Sequence, residues 1–341
     1  MNKNIYLFFL AVIFLFSSCK KDKPKKLDNS ISTFANGVFI LNEGNYTWNN
    51  ASVSFYDFKT NTLTDDVFKQ ANEFSLGDVA QSISKINNSY FIVVNNSKKI
   101  EIVDALTFKK TATLTGFKSP RYCALVGVNK VYVTDLYDNA ISVVNLIDAK
   151  IDKKIYCKGW TEQLLQYKNN VYVTNLNSTY LYVIDALKDE LKDSIAIGYG
   201  SNSLCLDSNN KLWITCNGNT SLGLKPSVKK INPETNQVEL TFETENGANN
   251  ICTNATKDTI YFLSKDVFQF EKNSASLPSA PLIKADNLNF YALGIKPLTG
   301  DVFVSDAIDY VQQGTILRYD NKGNKLAEFK AGIIPNGFLF K

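Results

Sequence analysis

Val171-Tyr172-Val173-Thr174-Asn175 returns, with one change at its end, as Val131-Tyr132-Val133-Thr134-Asp135 forty residues earlier. β-branched and aromatic residues crowded into five positions favour a pleated strand. Related stretches stand at Val38 to Asn42, Phe91 to Asn95, Leu212 to Cys216, Ile260 to Ser264 and Val302 to Asp306. The seven starts lie 53, 40, 40, 41, 48 and 42 residues apart. A strand-rich unit with a period near 40 is a propeller blade, a small sheet that must stack on its neighbours to bury both faces. The chain is therefore expected to be all-β, a seven-bladed β-propeller.

Each stretch is followed by a second strand ending in an acid or amide, as in Val53 to Asp57, Ile100 to Asp104, Ile141 to Asn145 and Leu181 to Asp185. Apolar and polar residues alternate along it, the mark of a half-buried strand. Its terminal Asp or Asn is suited to bonding its own backbone two residues on, which starts a turn. A short outer strand such as Lys110 to Leu114 comes next, then an apolar inner strand such as Cys123 to Val126. Counted this way the first repeat has no inner strand before it, and Asn336 to Phe340 has no partners after it. The expected solution is that this last segment completes the first blade. Pairing the N- and C-terminal strands would close the ring and remove its open edges.

Residues 1–18 read as a leader. Lys3 gives a positive start, and Ile5 to Phe16 form an apolar run too short to span a bilayer. Phe16-Ser17-Ser18-Cys19 resembles a bacterial lipobox, which makes Cys19 the expected lipidation site and new N-terminus. Residues 19–35 then form a charged tether, and 36–341 the propeller. Lipid chains would hold the protein on a membrane without a spanning helix.

Lys3 and the five lysines of the tether leave 31 basic residues beyond position 27, against 32 acidic ones. The body of the protein is thus near neutral, and no basic stripe for nucleic acid is expected. With Cys19 assigned to lipid, Cys123, Cys157, Cys205, Cys216 and Cys252 remain. Most fall in apolar runs and are expected to act as small buried hydrophobes. The chain has no histidine, which excludes Ser-His-Asp and Cys-His nucleophile systems and histidine metal sites. No catalytic residue, metal or cofactor is expected. Carboxylate-pair chemistry between Asp78 and Glu162 is the remaining enzymatic option.

The two Tyr-Val-Thr-Asn/Asp copies, each followed by a Val-Ile-Asp-like strand, resemble the YVTN or YncE-like seven-bladed propellers over about residues 36–341. Together with the lipobox-like cysteine and the Cys19-Lys20-Lys21-Asp22 start, the chain is similar to the cell-surface vitamin B12-binding (BtuG-type) lipoproteins of Bacteroidetes. That resemblance implies an outer-membrane lipoprotein, exposed at the cell surface, that captures cobalamin or another corrinoid. It implies delivery to a TonB-dependent outer-membrane transporter as partner, with the protein a monomer outside that complex. A surface scaffold for a protein or polysaccharide is the alternative.

Loops ahead of the inner strands open at the mouth of the central channel. In register they offer Asp78, Arg121, Glu162, Asn202, Asn249, Asn289 and Asn336. A ring rich in amides is suited to the amides of a corrinoid or to sugar hydroxyls. Tyr46, Trp48, Phe74, Tyr122 and Trp160 lie in neighbouring loops and are expected to cover a large flat ligand. Two insertions, Asn42 to Asn50 and Asn217 to Ser227, lengthen the loops on the same edge.

Overall fold

The computed structural model describes residues 34–341. The leader, Cys19 and most of the tether lie outside the described residues. Seven antiparallel sheets make up the described chain, six of four strands and one of three. Their inner strands touch in sequence around a circle. Ala80–Ile86 meets Pro120–Leu125, then Thr161–Tyr167, Ser201–Leu206, Asn249–Thr253, Phe290–Ile295 and Pro335–Phe340, which returns to Ala80–Ile86. The fold is a seven-bladed β-propeller.

Strand alternation explains the stacking. In the blade containing Lys130–Asp135, Val131 and Val133 turn toward the preceding blade and pack with Phe91, Val93 and Ile100. Tyr132, between them, turns the other way onto Val171 and Val173. Every blade therefore buries two apolar faces, and each large side chain so buried contributes about 1.5–3 kcal/mol. The acids and amides that end the second strands do cap the following turns. Asp57 accepts from the backbone N–H of Lys59 and Thr60, Asp104 from Leu106 and Thr107, and Asp185 from Leu187 and Lys188.

Closure is as the sequence implies. Pro335–Phe340 pairs antiparallel with Gly37–Asn42, matching Val38 with Phe340 and Ile40 with Phe338. Phe338 and Phe340 also meet Phe303 edge-on, at 6.0 and 5.3 Å between ring centroids, so the clasp is packed as well as paired.

Two details depart from the expected pattern. In the second blade Tyr90, not Phe91, holds the place of Val131, because Tyr90 pairs with Val103 as Val131 pairs with Val144. A run of five apolar residues, Tyr90 to Val94, hid the register there. The sixth blade keeps only three strands, and residues 272–289 replace its outer strand, touching Val267 through Ile283. The long first interval comes from a loop at 43–51 and an insertion carrying the short helix Val67–Asn72.

All five described cysteines are free thiols. Burial pushes Cys123, Cys157, Cys216 and Cys252 up to about 12, which keeps them protonated and unreactive. No described helix is long and apolar enough to cross a membrane.

Candidate functional site

Every inner strand shifts register against its neighbour at one end, the end that opens on the ring axis. A β-bulge re-aims a side chain and ends regular pairing. Seven bulges on one face therefore turn seven side chains toward the axis: Gln81, Arg121, Glu162, Asn202, Asn249, Tyr291 and Asn336. They line one cavity of about 390 Å³, with Glu43, Tyr122 and Tyr310.

Five of the seven register positions read from sequence are correct: Arg121, Glu162, Asn202, Asn249 and Asn336. Asp78 and Asn289 are not part of the ring, where Gln81 and Tyr291 stand instead. Asp78 and Asn289 each lie thirteen residues ahead of the motif, in the loop just before the bulge, whereas Gln81 and Tyr291 lie ten and eleven ahead. Asp78 is buried, and its carboxylate accepts from the Thr47 N–H at 2.9 and 3.1 Å and from the Asn96 amide. Asn289 donates its backbone N–H to Asp306, and its side chain accepts from the Tyr310 hydroxyl.

The aromatics divide as well. Tyr122 lines the cavity. Trp160 stands behind it, its indole N–H donating to Glu162 and its ring 5.3 Å from the Arg121 guanidinium. Tyr46 and Trp48 project outward from the first blade's loop, 69 and 74 % exposed. Thr47 and Asn49 in that loop hold left-handed backbone. The loop is nonetheless well held, by Asp78 on Thr47, by paired Asn45 and Asn50 side chains, and by Asn45 on the Tyr310 carbonyl. Phe74 is off the mouth altogether: it packs edge-on against Phe68 beside the short helix, under Lys110 of the second blade's outer strand.

Charge in the cavity is unevenly distributed. Arg121 donates to one oxygen of Glu162 through Nε at 2.8 Å and Nη2 at 2.7 Å, with side chains only 15 and 4 % exposed. Burial raises the Glu162 pKa, and the adjacent guanidinium opposes that rise. Burial works most strongly, to lower the Arg121 pKa, but the charge and hydrogen bond of Glu162, with Tyr122 and Glu43, together offset it and leave it raised. Glu43 has no such partner. Its Oε1 accepts from the Tyr291 hydroxyl at 3.0 Å and from Asn336 Nδ2 at 3.1 Å, both neutral donors. Burial holds its pKa above the usual carboxylate range, and Tyr291 is raised by burial and by the Glu43 charge.

The amides are less free than their number suggests. Asn202 spends both N–H groups on Asn217 Oδ1 and the Ala248 carbonyl, while its oxygen accepts from Ser203 and Thr215. Asn336 Nδ2 faces Glu43 and the Ala80 and Gln81 carbonyls. Asn250 donates to the Tyr291 carbonyl. These amides knit each inner strand to the next, a task that sequence alone did not reveal. Glu43 and Tyr291 line the cavity and were missed by motif spacing. Glu43 is visible in sequence only as the residue after Asn42, at the start of one of the two long loops on the mouth.

No group of three or more acidic or thiol side chains is placed to hold a metal ion among the described residues. Asp135 and Asp306 act as turn caps, accepting from Ser119 and Tyr137 and from Asn289 and Ile308. Asp78 and Glu162 do not face each other as a carboxylate pair, since Asp78 is turned onto the Thr47 loop.

A family of propeller-length domains described as "Domain of unknown function (DUF5074)" matches residues 36–340, nearly the whole chain. This chain belongs to the DUF5074 family. The match coincides with the closed ring, from the first blade's inner pair to the clasp strand. No curated protein matches this DUF5074 chain. Among solved structures it is similar to a quinonprotein alcohol dehydrogenase-like protein from Bacteroides thetaiotaomicron, at 16 % identity and a TM-score of 0.75. The similarity covers 92 % of this chain and 79 % of that one. It is also similar to Kuenenia stuttgartiensis hydrazine synthase, at 14 % identity and 0.58, over 73 and 85 % of the two chains. A dihydro-heme d1 dehydrogenase, NirN, matches at 9 % identity and 0.60, over 91 and 77 %. At these identities the likeness establishes the propeller and leaves each neighbour's chemistry with the neighbour.

Proposed function

We propose that this DUF5074 protein is a non-catalytic, lipid-anchored capture protein that holds a small polar ligand at the axial mouth. The observation that carries the reading is the cavity itself. It is polar, walled on one side by Tyr291 and Tyr310 (ring centroids 5.7 Å apart), and floored by seven bulged strands that cannot easily move. Preformed cavities of a few hundred cubic ångströms with a few convergent polar groups are typical of small-molecule sites. Glu162 is committed to Arg121 and Trp160, so it supplies no proton-transfer group, and the reading is capture rather than turnover.

Corrinoid is the ligand that the resemblance implies, lying across the mouth because the cavity is small for it. Tyr46 and Trp48 support the second half of the proposal, hand-over to a TonB-dependent outer-membrane transporter. Exposed aromatics on a well-held loop beside a ligand site are the usual anchors of a protein interface. Calorimetric titration with cyanocobalamin tests the reading. One-to-one binding at micromolar affinity or tighter is expected. No heat over that range would overturn corrinoid capture, and co-purification with an outer-membrane protein would then favour a scaffold role.

A further inference from the structure

The charges around the mouth do not balance. Two carboxylates and one guanidinium line the cavity, and the guanidinium is spent on Glu162. Glu43 makes no ion pair among the described residues, and no donor there reaches its Oε2 within hydrogen-bond distance. Arg121 acts on Glu43 only at a distance, so this carboxylate has no contacting countercharge, and drawing a carboxylate from water without one is costly.

A second, independent observation lies beside it. Asn336 Oδ1 is the one buried side-chain oxygen or nitrogen among the described residues that has no hydrogen-bond partner. Its orientation is fixed, because Nδ2 faces three oxygens, those of Glu43, Ala80 and Gln81. Reversing the amide would set oxygen against oxygen three times over. The same corner thus lacks both a positive charge and a hydrogen-bond donor. Aromatic rings of Tyr291 and Tyr310 stand next to it, and such rings favour a cation at close range.

These shortages share one answer. We infer that Glu43 is the docking point for an ammonium group, and that the mouth takes a small hydroxylated primary amine of the amino-sugar class. An ammonium brings three donors and a charge, enough for Glu43 Oε2 and a second acceptor together. A divalent metal ion fits poorly, since it requires several oxygen ligands and one free carboxylate is present. The remaining polar wall, with Gln81, Asn249 and the Tyr122 and Tyr310 hydroxyls, suits hydroxyl groups. The cavity volume suits a single sugar ring better than a macrocycle. This inference rests on the reading of the mouth as a capture site and assigns the cavity itself a ligand other than the corrinoid that the resemblance implies.

Paired titrations test it: D-glucosamine and N-acetyl-D-glucosamine, which differ in the charge of one nitrogen, against the full chain at neutral pH. Glucosamine is expected to bind one-to-one, roughly tenfold or more tighter than its acetylated form. Glu43→Gln is expected to abolish that preference while leaving the melting temperature at or above wild type. Equal affinity for the two sugars, absence of binding by glucosamine, or a preference that survives Glu43→Gln would each overturn the inference. The wild-type comparison stands even where the variant fails to fold. Cyanocobalamin binding without glucosamine binding would overturn this inference and leave the capture reading intact.

Discussion

The layers between blades and the axial mouth are built from the same strands under opposite rules. Between blades, Val131, Val133, Tyr132 and their counterparts recur blade after blade, because every interface presents the same apolar problem. At the mouth no two adjacent blades repeat a residue except where amide follows amide: Gln81, Arg121, Glu162, Asn202, Asn249, Tyr291 and Asn336. Repetition in the layers supplies stability, and variation at the bulges supplies chemistry. The two can change separately because the bulge isolates one residue from the ladder it interrupts.

The largest expected effect comes from breaking the layers as a ring. Truncation after Pro335 removes the clasp strand, exposes the paired edge of Gly37–Asn42 and uncovers Phe303. Loss of a cooperative thermal transition, with aggregation on size-exclusion chromatography, is expected; a sharp monomeric melt would contradict the closure. Within one layer, Trp213→Ala empties a fully buried site and leaves Asp207 without its indole donor. A destabilisation of about 3–5 kcal/mol in denaturant titration is expected.

Changes at the mouth should cost less, and some should cost nothing. Arg121→Ala strands the buried Glu162 carboxylate, for an expected loss of about 3 kcal/mol. Replacing both partners together, with Arg121→Met and Glu162→Leu, should restore most of that loss in the same titration. Glu43→Gln is expected to act through pH. Burial raises the folded pKa of Glu43, so the fold favours its protonated form. The stability from that preference is complete below about pH 4 and is lost as pH rises through the raised pKa. Gln keeps an acceptor for Tyr291 and Asn336, so the variant should melt with wild type in acid and above it at neutral pH. Smallest of all, Trp48→Ala on the exposed loop should change stability by no more than about 0.5 kcal/mol. Its effect is expected in partner capture, measured by pull-down with outer-membrane extract.

The same contrast explains what could be read before the structure. Strand alternation repeats, so the blade count, the clasp and the turn-capping acids were legible, and an error such as Phe91 for Tyr90 arose only inside an unbroken apolar run. Mouth positions depend on where each bulge falls. Glu162 lies nine residues ahead of Val171, Arg121 ten ahead of Val131, and Tyr291 eleven ahead of Val302. Gln81 lies ten ahead of Phe91, while Asp78 and Asn289 lie thirteen ahead of Phe91 and Val302, so those two readings took a polar loop residue just before the bulge. Residue type misled in another way. Asn202 looked like a ligand donor, yet all its hydrogen-bonding capacity is spent within the wall. Tyr46 and Trp48 sit in the expected loop, but they are exposed and do not line the cavity, which no composition rule foretells.

The clasp also sets a timetable. Gly37–Asn42 finds its second neighbour only in Pro335–Phe340, almost three hundred residues later in the chain. During synthesis the first blade must wait with one edge unpaired while six others form. Contacts of such long sequence separation are slow to make, and an unpaired strand edge invites the wrong partner meanwhile. For this protein the hazardous interval is the one in which its earliest strand is complete and its last has not arrived.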